Sequence, residues 1–322
     1  MKFTAHAWRF TRPSTPNALY EPPLPSYRLP LSAIADAAYA AARHRTRNVW
    51  QDALRLTAGM YPPPNVAGIE HVPTAGPCVI LPNHYERPGG VWVGWGAIVI
   101  SAALAQHRPG TPPIRWVMTT TWADCYIGPW RVAPEKLGWV LRGLASVYGL
   151  ILMPAHDLPT HDAQRLESAL ALRQIFRSLA DSPDQIVALH PEAGGFETMI
   201  RPPHGSGRVL AALDRRHVPC IPTGVFERNG RLTVRFGAPL PQGLLADLDD
   251  AQAADQVMHA IANLVPAAVG GSFAGDAAAS TPAPNSERQP REDVNGPALI
   301  TLGSAVDRDR HERRIERTLS GD

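Results

Sequence analysis

Lysine is almost missing from this 322-residue chain: Lys2 and Lys136 are the only two. Arginine carries the rest of the positive charge, a bias assigned to genome composition rather than to phosphate binding. With 31 basic against 29 acidic residues the formal net charge is only +2, so no overall basic field points to nucleic acid. Cysteine is scarce too. Cys78, Cys125 and Cys220 are too few and too scattered for a disulfide framework or a zinc knuckle, and two of them fall in strand-like runs that predict buried thiols. The first 30 residues lack a continuous apolar segment and carry prolines that oppose a helix, which argues against a secretory signal and makes a reducing cytoplasmic location the expectation. No G-x-S-x-G elbow is present, and "HGSGR" around Ser206 has the wrong spacing, so nucleophilic-serine chemistry has no support.

Long uninterrupted apolar runs are also lacking. The nearest is residues 88 to 106, 19 residues without a charge that include "VWVGWGAIVISAALA". Its length approaches a membrane span, but four glycines and a proline weaken that reading. A buried helix packed under a sheet is the expectation, with a span or shallow membrane embedding as alternatives.

What is present is an alternation of short apolar runs and helical segments. Residues 1 to 30 read as an extended proline-rich arm, and Leu31 to Met60 as one or two helices ending at "YPPP". Strands are predicted at Cys78 to Leu81, Ile114 to Met118, Leu150 to Met153, Ile186 to Leu189, Cys220 to Val225 and Leu232 to Phe236. Helices are predicted near 91–106, 135–147, 162–180, 206–216 and 245–265, the third with Leu166, Leu170, Arg173 and Arg177 at helical spacing. This order predicts an α/β fold, a sheet layered with helices. Three regions follow: an N-terminal arm with helices over 1–60, an α/β domain over 61–266, and a tail over 267–322 that is disordered or weakly helical. The tail is small, polar and proline-rich, then charged.

Three polar clusters each follow an apolar run: "NHYERPGG" from Asn83, "PAHDLPTHD" from Pro154 and "HPEAGGFE" from His190. The carboxyl ends of strands in an open α/β sheet face the ligand crevice, so all three are candidate site segments. His84 is the candidate general base, because imidazole titrates near neutrality. Asn83 either caps a following helix or positions His84. Glu192 precedes Ala193, Gly194 and Gly195, a turn whose amides suit an anion or oxyanion, with a plain turn as the alternative. His156, Asp157, His161 and Asp162 invite a metal site, but the intervening proline and the spacing of the two histidines do not match the helical i, i+4 ligand pair. Asp162 suits the first turn of the following helix.

Taken in order, these segments resemble the glycerolipid acyltransferase family, of the 1-acylglycerol-3-phosphate acyltransferase type. The resemblance rests on "VAGIEHVPTAGPCVILPNH", "GLILM", "IVALHPEAGG", "RVLAALDRRHVPCIPTGV" and "VRFGAPL", and spans about Val66 to Leu240. It implies a mixed sheet covered by helices, with an N-terminal helical lead. It also implies transfer of a fatty acyl group from acyl-CoA or acyl carrier protein to a hydroxyl of a lipid-like acceptor, with no cofactor and no covalent enzyme intermediate. His84 matches the family's catalytic base and Glu192 the glutamate that helps bind the acceptor; Pro191 and Gly194 share its loop, and Pro222 and Gly224 match the fourth block. The lipid substrate class implies a membrane-surface partner, hence a peripheral position on the inner face of the cell membrane.

The departures are specific. The family's H-x-x-x-x-D becomes H-x-x-x-x-G, with Gly89 where the orienting aspartate belongs. Glu86 is the nearest candidate to replace it, with Glu192 from the facing loop as the other. Pro154 and Ala155, and Gly194 and Gly195, occupy positions where the family places phosphate-reading arginines. Arg201 and Arg208 follow closely and are the candidates to supply positive charge, a solvated surface role being the alternative. Two further functions stay open: a non-catalytic acyl-lipid binding protein that has lost its relay, and a metal-dependent hydrolase using residues 156 to 162.

Overall fold

The structure, a computed structural model, describes residues 27–87, 90–119, 125–127, 130–132, 134–154, 162–194 and 198–274. Helices α1 (Leu31–Ala42) and α2 (Val49–Ala58) lead, followed by β1 (Asn65–Ala67), a 3-10 turn (Ile69–His71) and β2 (Cys78–Pro82). Next come α3 (Gly94–His107), β3 (Arg115–Thr119), the antiparallel pair β4 (Cys125–Ile127) and β5 (Trp130–Val132), α4 (Pro134–Tyr148) and β6 (Ile151–Met153). Then follow α5 (Asp162–Asp181), β7 (Ile186–Ala188), α6 (Ser206–Asp214), β8 (Cys220–Arg228), β9 (Arg231–Phe236), α7 (Asp250–Ala262), α8 (Ala267–Gly270) and a closing 3-10 turn (Gly271–Phe273).

Seven strands form one sheet in the order β1-β9-β8-β2-β7-β3-β6. From β8 to β6 every neighbour is parallel, while β9 pairs antiparallel with β8 and parallel with β1. The α/β class expected from the alternation is therefore present, as a mostly parallel mixed sheet flanked by helices. The central strand β2 is buried throughout, as a strand covered on both faces must be. Its side chains alternate: Cys78 and Ile80 join a core with Trp95, Val99, Ile100 and Leu104 of α3. Val79 and Leu81 join a second core with Ala171 and Ile175 of α5, Leu210 of α6 and Val257 and Ile261 of α7.

The chargeless run of residues 88–106 supplies α3, which is apolar on all sides because both the sheet and α2 cover it. Fourteen residues extend only about 21 Å, short of a bilayer's hydrocarbon core of roughly 30 Å. Among the described residues no helix is long and apolar enough to cross a membrane.

Three expectations shift. The stripe of Leu166, Leu170, Arg173 and Arg177 predicts α5 but not its rotation: Leu166 and Leu170 are exposed, and Ala171, Ile175, Ser178 and Leu179 face the core. Spacing identifies a helix; the two arginines in that stripe keep it in water. The described part of the lead packs on the α/β domain: Trp50 lies in the α3 core and Tyr27 joins it. The Tyr27 hydroxyl accepts from the Leu232 N–H at 3.1 Å and its carbonyl from the Trp95 indole at 2.8 Å. Finally, the folded domain runs past 266: Phe273 is buried, and the Met199 N–H donates to the Val269 carbonyl at 2.7 Å. Strands β1, β4 and β5, three residues each, are too short to stand out in the sequence. The tail from 275 and the arm before 27 lie outside the described residues.

Helices α6 and α7 touch through a glycine. A Cβ on Gly207 would sit 1.8 Å from the Asp250 carbonyl oxygen and 2.9 Å from the Ala254 nitrogen, so only glycine permits this approach. Asp250 in return caps α6, accepting from the Gly205 N–H at 2.7 Å and the Arg208 N–H at 2.9 Å. Gly207→Ala must separate the helices and break those caps. The expected loss is about 3 kcal/mol of unfolding free energy by urea denaturation, as for other overpacked contacts.

Candidate functional site

Strand β2 continues into α3 on one face of the sheet, and its neighbour β7 continues into α6 on the other. Adjacent parallel strands whose chains leave to opposite faces open a crevice between their carboxyl ends, the usual ligand position in such sheets. Residues 83 to 87 and 189 to 194 line that crevice because they directly follow β2 and β7.

Two side chains fix its backbone. Asn83, buried at 1% exposure, extends the pairing of β2 with β8: its Oδ1 accepts from the Val225 N–H at 2.7 Å and its Nδ2 donates to the Val225 carbonyl at 2.9 Å. Nδ2 also donates to the His84 carbonyl at 3.0 Å. An aspartate would lack the donor, so the amide is required for this two-way contact. Asn83 does not cap the following helix, whose N-cap is Val93; its amide is used on the Val225 peptide and the His84 carbonyl.

Glu192 is buried at 3% exposure, and both its oxygens accept from backbone: Oε2 from the His84 N–H at 2.7 Å, Oε1 from the Ile200 N–H at 3.0 Å. Burial pushes its carboxyl up to about 8, outweighing the two backbone N–H groups that favour the carboxylate. The preceding turn is tight: Ala193 holds φ at +55° and its N–H donates to the His190 carbonyl at 3.3 Å. An alanine in the left-handed region is a local strain of the kind concentrated at binding sites.

The His84 ring lies flat on the His190 ring, centroids 3.8 Å apart and planes 14° apart. His190 in turn stacks on Trp116 at 5.5 Å. Trp116 lies within β3, level with Ala188 at the end of the neighbouring β7, so the three rings step across three adjacent strands. His84 Nδ1 is sealed from solvent without a hydrogen-bond partner among the described residues. Burial first, and then the neighbouring His190, holds His84 well below its ordinary value of 6.5, while burial pushes His190 down to about 3. Both imidazoles are thus neutral at pH 7. With no acceptor at Nδ1, nothing imposes the Nδ1–H tautomer that makes Nε2 a base.

The other predicted residues are placed as follows. Glu86 is buried, 5% exposed, but neither it nor Glu192 bonds His84 Nδ1, so the expected replacement for the missing aspartate is not met by either. Gly194 closes the turn after Ala193 at the crevice, while Gly195, Gly89 and the cluster at 155–161 lie outside the described residues. Arg201 is exposed and paired with Asp255 of α7 at 3.0 Å, and Arg208 is exposed beside His204 at 2.9 Å. Neither guanidinium bonds the histidine pair. Among the described residues no group of three or more His, Cys, Asp or Glu side chains is arranged to hold a metal ion.

The partners that sequence reasoning missed are His190, Trp116 and the Arg87–Glu227 pair, in which Glu227 also accepts from the Tyr85 hydroxyl at 3.1 Å. A histidine soon after each of two neighbouring strands was the available signal for the stack, but strand adjacency is not written in strand order. The chain matches no protein-family model and no curated protein.

Glu192→Gln sets an NH2 donor against one of the two backbone N–H groups, and should lower unfolding free energy by about 1–3 kcal/mol near pH 6 in urea. A carboxyl raised from 4.5 to about 8 adds stability in full below 4.5 and loses it as pH rises through about 8. The gap between wild type and Glu192→Gln should therefore narrow from about pH 6 to about pH 9. The two histidines act at the other end, removing stability as pH falls below 6.5.

Proposed function

We propose that this protein is an acyltransferase moving a fatty acyl group from acyl-CoA or acyl carrier protein to a hydroxyl of a lipid-like acceptor. The observation that carries the proposal is His84: it stands at the switch-point crevice, its backbone is fixed by Asn83 and Glu192, and its one sealed nitrogen is Nδ1. Nε2 is left to face the acceptor. In the proposed reaction Nε2 takes the hydroxyl proton as the oxygen attacks the thioester carbonyl. The tetrahedral intermediate collapses, the carbon–sulfur bond breaks, and the thiolate leaves and recovers the proton from the imidazolium. The Gly194 N–H, not used in any hydrogen bond to a described residue, is the proposed donor to the oxyanion.

Two further features support a weakly charged lipid acceptor at a membrane surface. Arg201 and Arg208 are engaged with Asp255 and His204, so neither stands ready to grip a phosphate in the crevice. Helix α1 hides small side chains, Ala37 and Ala40, and exposes Leu31, Ile34 and Tyr39. Exposed Trp139 and Val140 of α4 lie one turn from Gly143, which faces Ala41 of α1. Arg43, over the Tyr39 ring, borders this apolar face, a composition suited to an anionic interface.

A second function, a non-catalytic acyl-lipid binding protein, is favoured by the unpartnered His84 Nδ1, since an imidazolium formed there has no carboxylate beside it.

Purified protein given radiolabelled acyl-CoA and a panel of hydroxyl acceptors should transfer label, and His84→Ala should abolish transfer. Label transfer unchanged by that substitution rejects the acyltransferase proposal, and co-purified lipid without turnover selects the binding protein. The protein should also float with vesicles of phosphatidylglycerol and phosphatidylcholine but not of phosphatidylcholine alone. Trp139→Ala combined with Ile34→Ser should release it.

A further inference from the structure

His84 has its backbone fixed on both sides and its ring fixed on neither nitrogen. The peptide is held by the Asn83 amide and the Glu192 carboxyl. Rotation about the Cβ–Cγ bond of a histidine is intrinsically broad, so the direction of Nε2 needs a further constraint. A hydrogen bond at Nδ1 is the common one, and here Nδ1 has no partner among the described residues.

The constraint present is a flat surface. With the His190 ring at 3.8 Å and nearly parallel, turning the His84 ring drives one of its edges into His190. His190 is itself backed by Trp116 at 5.5 Å. The Trp116 indole N–H donates to the Ser101 hydroxyl at 3.0 Å, and that hydroxyl donates to the Ala97 carbonyl of α3 at 2.7 Å. The stack is therefore anchored in the helix that follows His84 itself, and Glu192 ties the segment carrying His190 to the His84 peptide.

We infer that His190 is the positioning residue for His84: its ring face, backed by Trp116, sets the plane of the imidazole and so the direction of Nε2, in place of a carboxylate on Nδ1. The inference rests on the proposed role of His84 as general base and adds the residue that orients it. It assigns no proton transfer to His190. A flat ring at position 190 is what matters, so Phe should serve and Leu, of similar bulk without a flat face, should not.

Two measurements on the full chain separate this inference from the proposed function. The first is the order of the His84 ring, read from relaxation of its 13C-labelled Cδ2–H group. The ring should be rigid in wild type and His190→Phe, and mobile in His190→Leu and His190→Ala. An equally rigid ring in all four proteins overturns the inference whether or not any of them turns over substrate. The second is acyl transfer from radiolabelled acyl-CoA. His190→Leu and His190→Ala should lower kcat on the order of 10- to 100-fold with little change in KM, the size of effect expected from misaiming a catalytic group. His190→Phe should stay within about threefold of wild type, as a retained aim implies. Loss in Phe as large as in Leu overturns positioning by the ring face. Absence of transfer in every protein including wild type rejects the acyltransferase proposal, while the ring-order comparison still decides the role of His190.

Discussion

One buried carboxyl group joins the two sides of the crevice. Glu192 rises from the end of β7, accepts from the peptide that carries His84 at the end of β2, and accepts again from Ile200 on the way to α6. Every other feature of the site presupposes this bridge. It adds a direct tie, beyond the strand ladder behind them, between the segments holding His84 and His190, and a stack at 3.8 Å needs both segments in register. The opposite ends of the same strands are also pinned. Fully buried Arg108 donates to the Gly76 carbonyl at 2.9 Å and to the Asp184 carboxylate at 3.3 Å, and that carboxylate accepts from the Gly76 N–H at 2.8 Å. The strand pair β2 and β7 is thus clamped at both ends by ionisable groups placed where backbone would otherwise be unsatisfied.

The chemistry of the crevice follows from low polarity more than from charge. Two neutral imidazoles stand beside a carboxyl whose burial favours its uncharged form. Such a site disfavours a long-lived imidazolium. Nδ1 of His84 has no partner among the described residues, which leaves the orientation of the ring to the face it stacks on.

Much of the fold was legible because strand-length apolar runs alternate with helical ones. The runs at Cys78, Ile186 and Cys220 are strands β2, β7 and β8, and the polar segments from Asn83 and His190 follow β2 and β7 at one end of the sheet. The rotation of α5 was not legible, since leucines at helical spacing mark a face without saying whether water or protein lies against it, and Leu166 and Leu170 face water. His84, Asn83 and Glu192 were legible as strand-end residues. Their joint geometry was not, because His84 and Glu192 are 108 positions apart and meet only through the adjacency of β2 and β7. For the same reason His190, plain in the sequence as the first letter of a polar cluster, disclosed nothing until β7 was found inserted between β2 and β3.

The loop from Met199 to Arg208 is braced from both directions along the chain, by Glu192 made before it and by residues made later. Its Met199 N–H is held by Val269, and its Gly205 and Arg208 N–H groups by Asp250. A chain made only as far as β9 already contains both histidines and Glu192, but not Asp250 or Val269, the later partners of the loop that carries Ile200. Val269 and Asp250 thus complete the hydrogen bonding of a loop whose first partner, Glu192, was made before it.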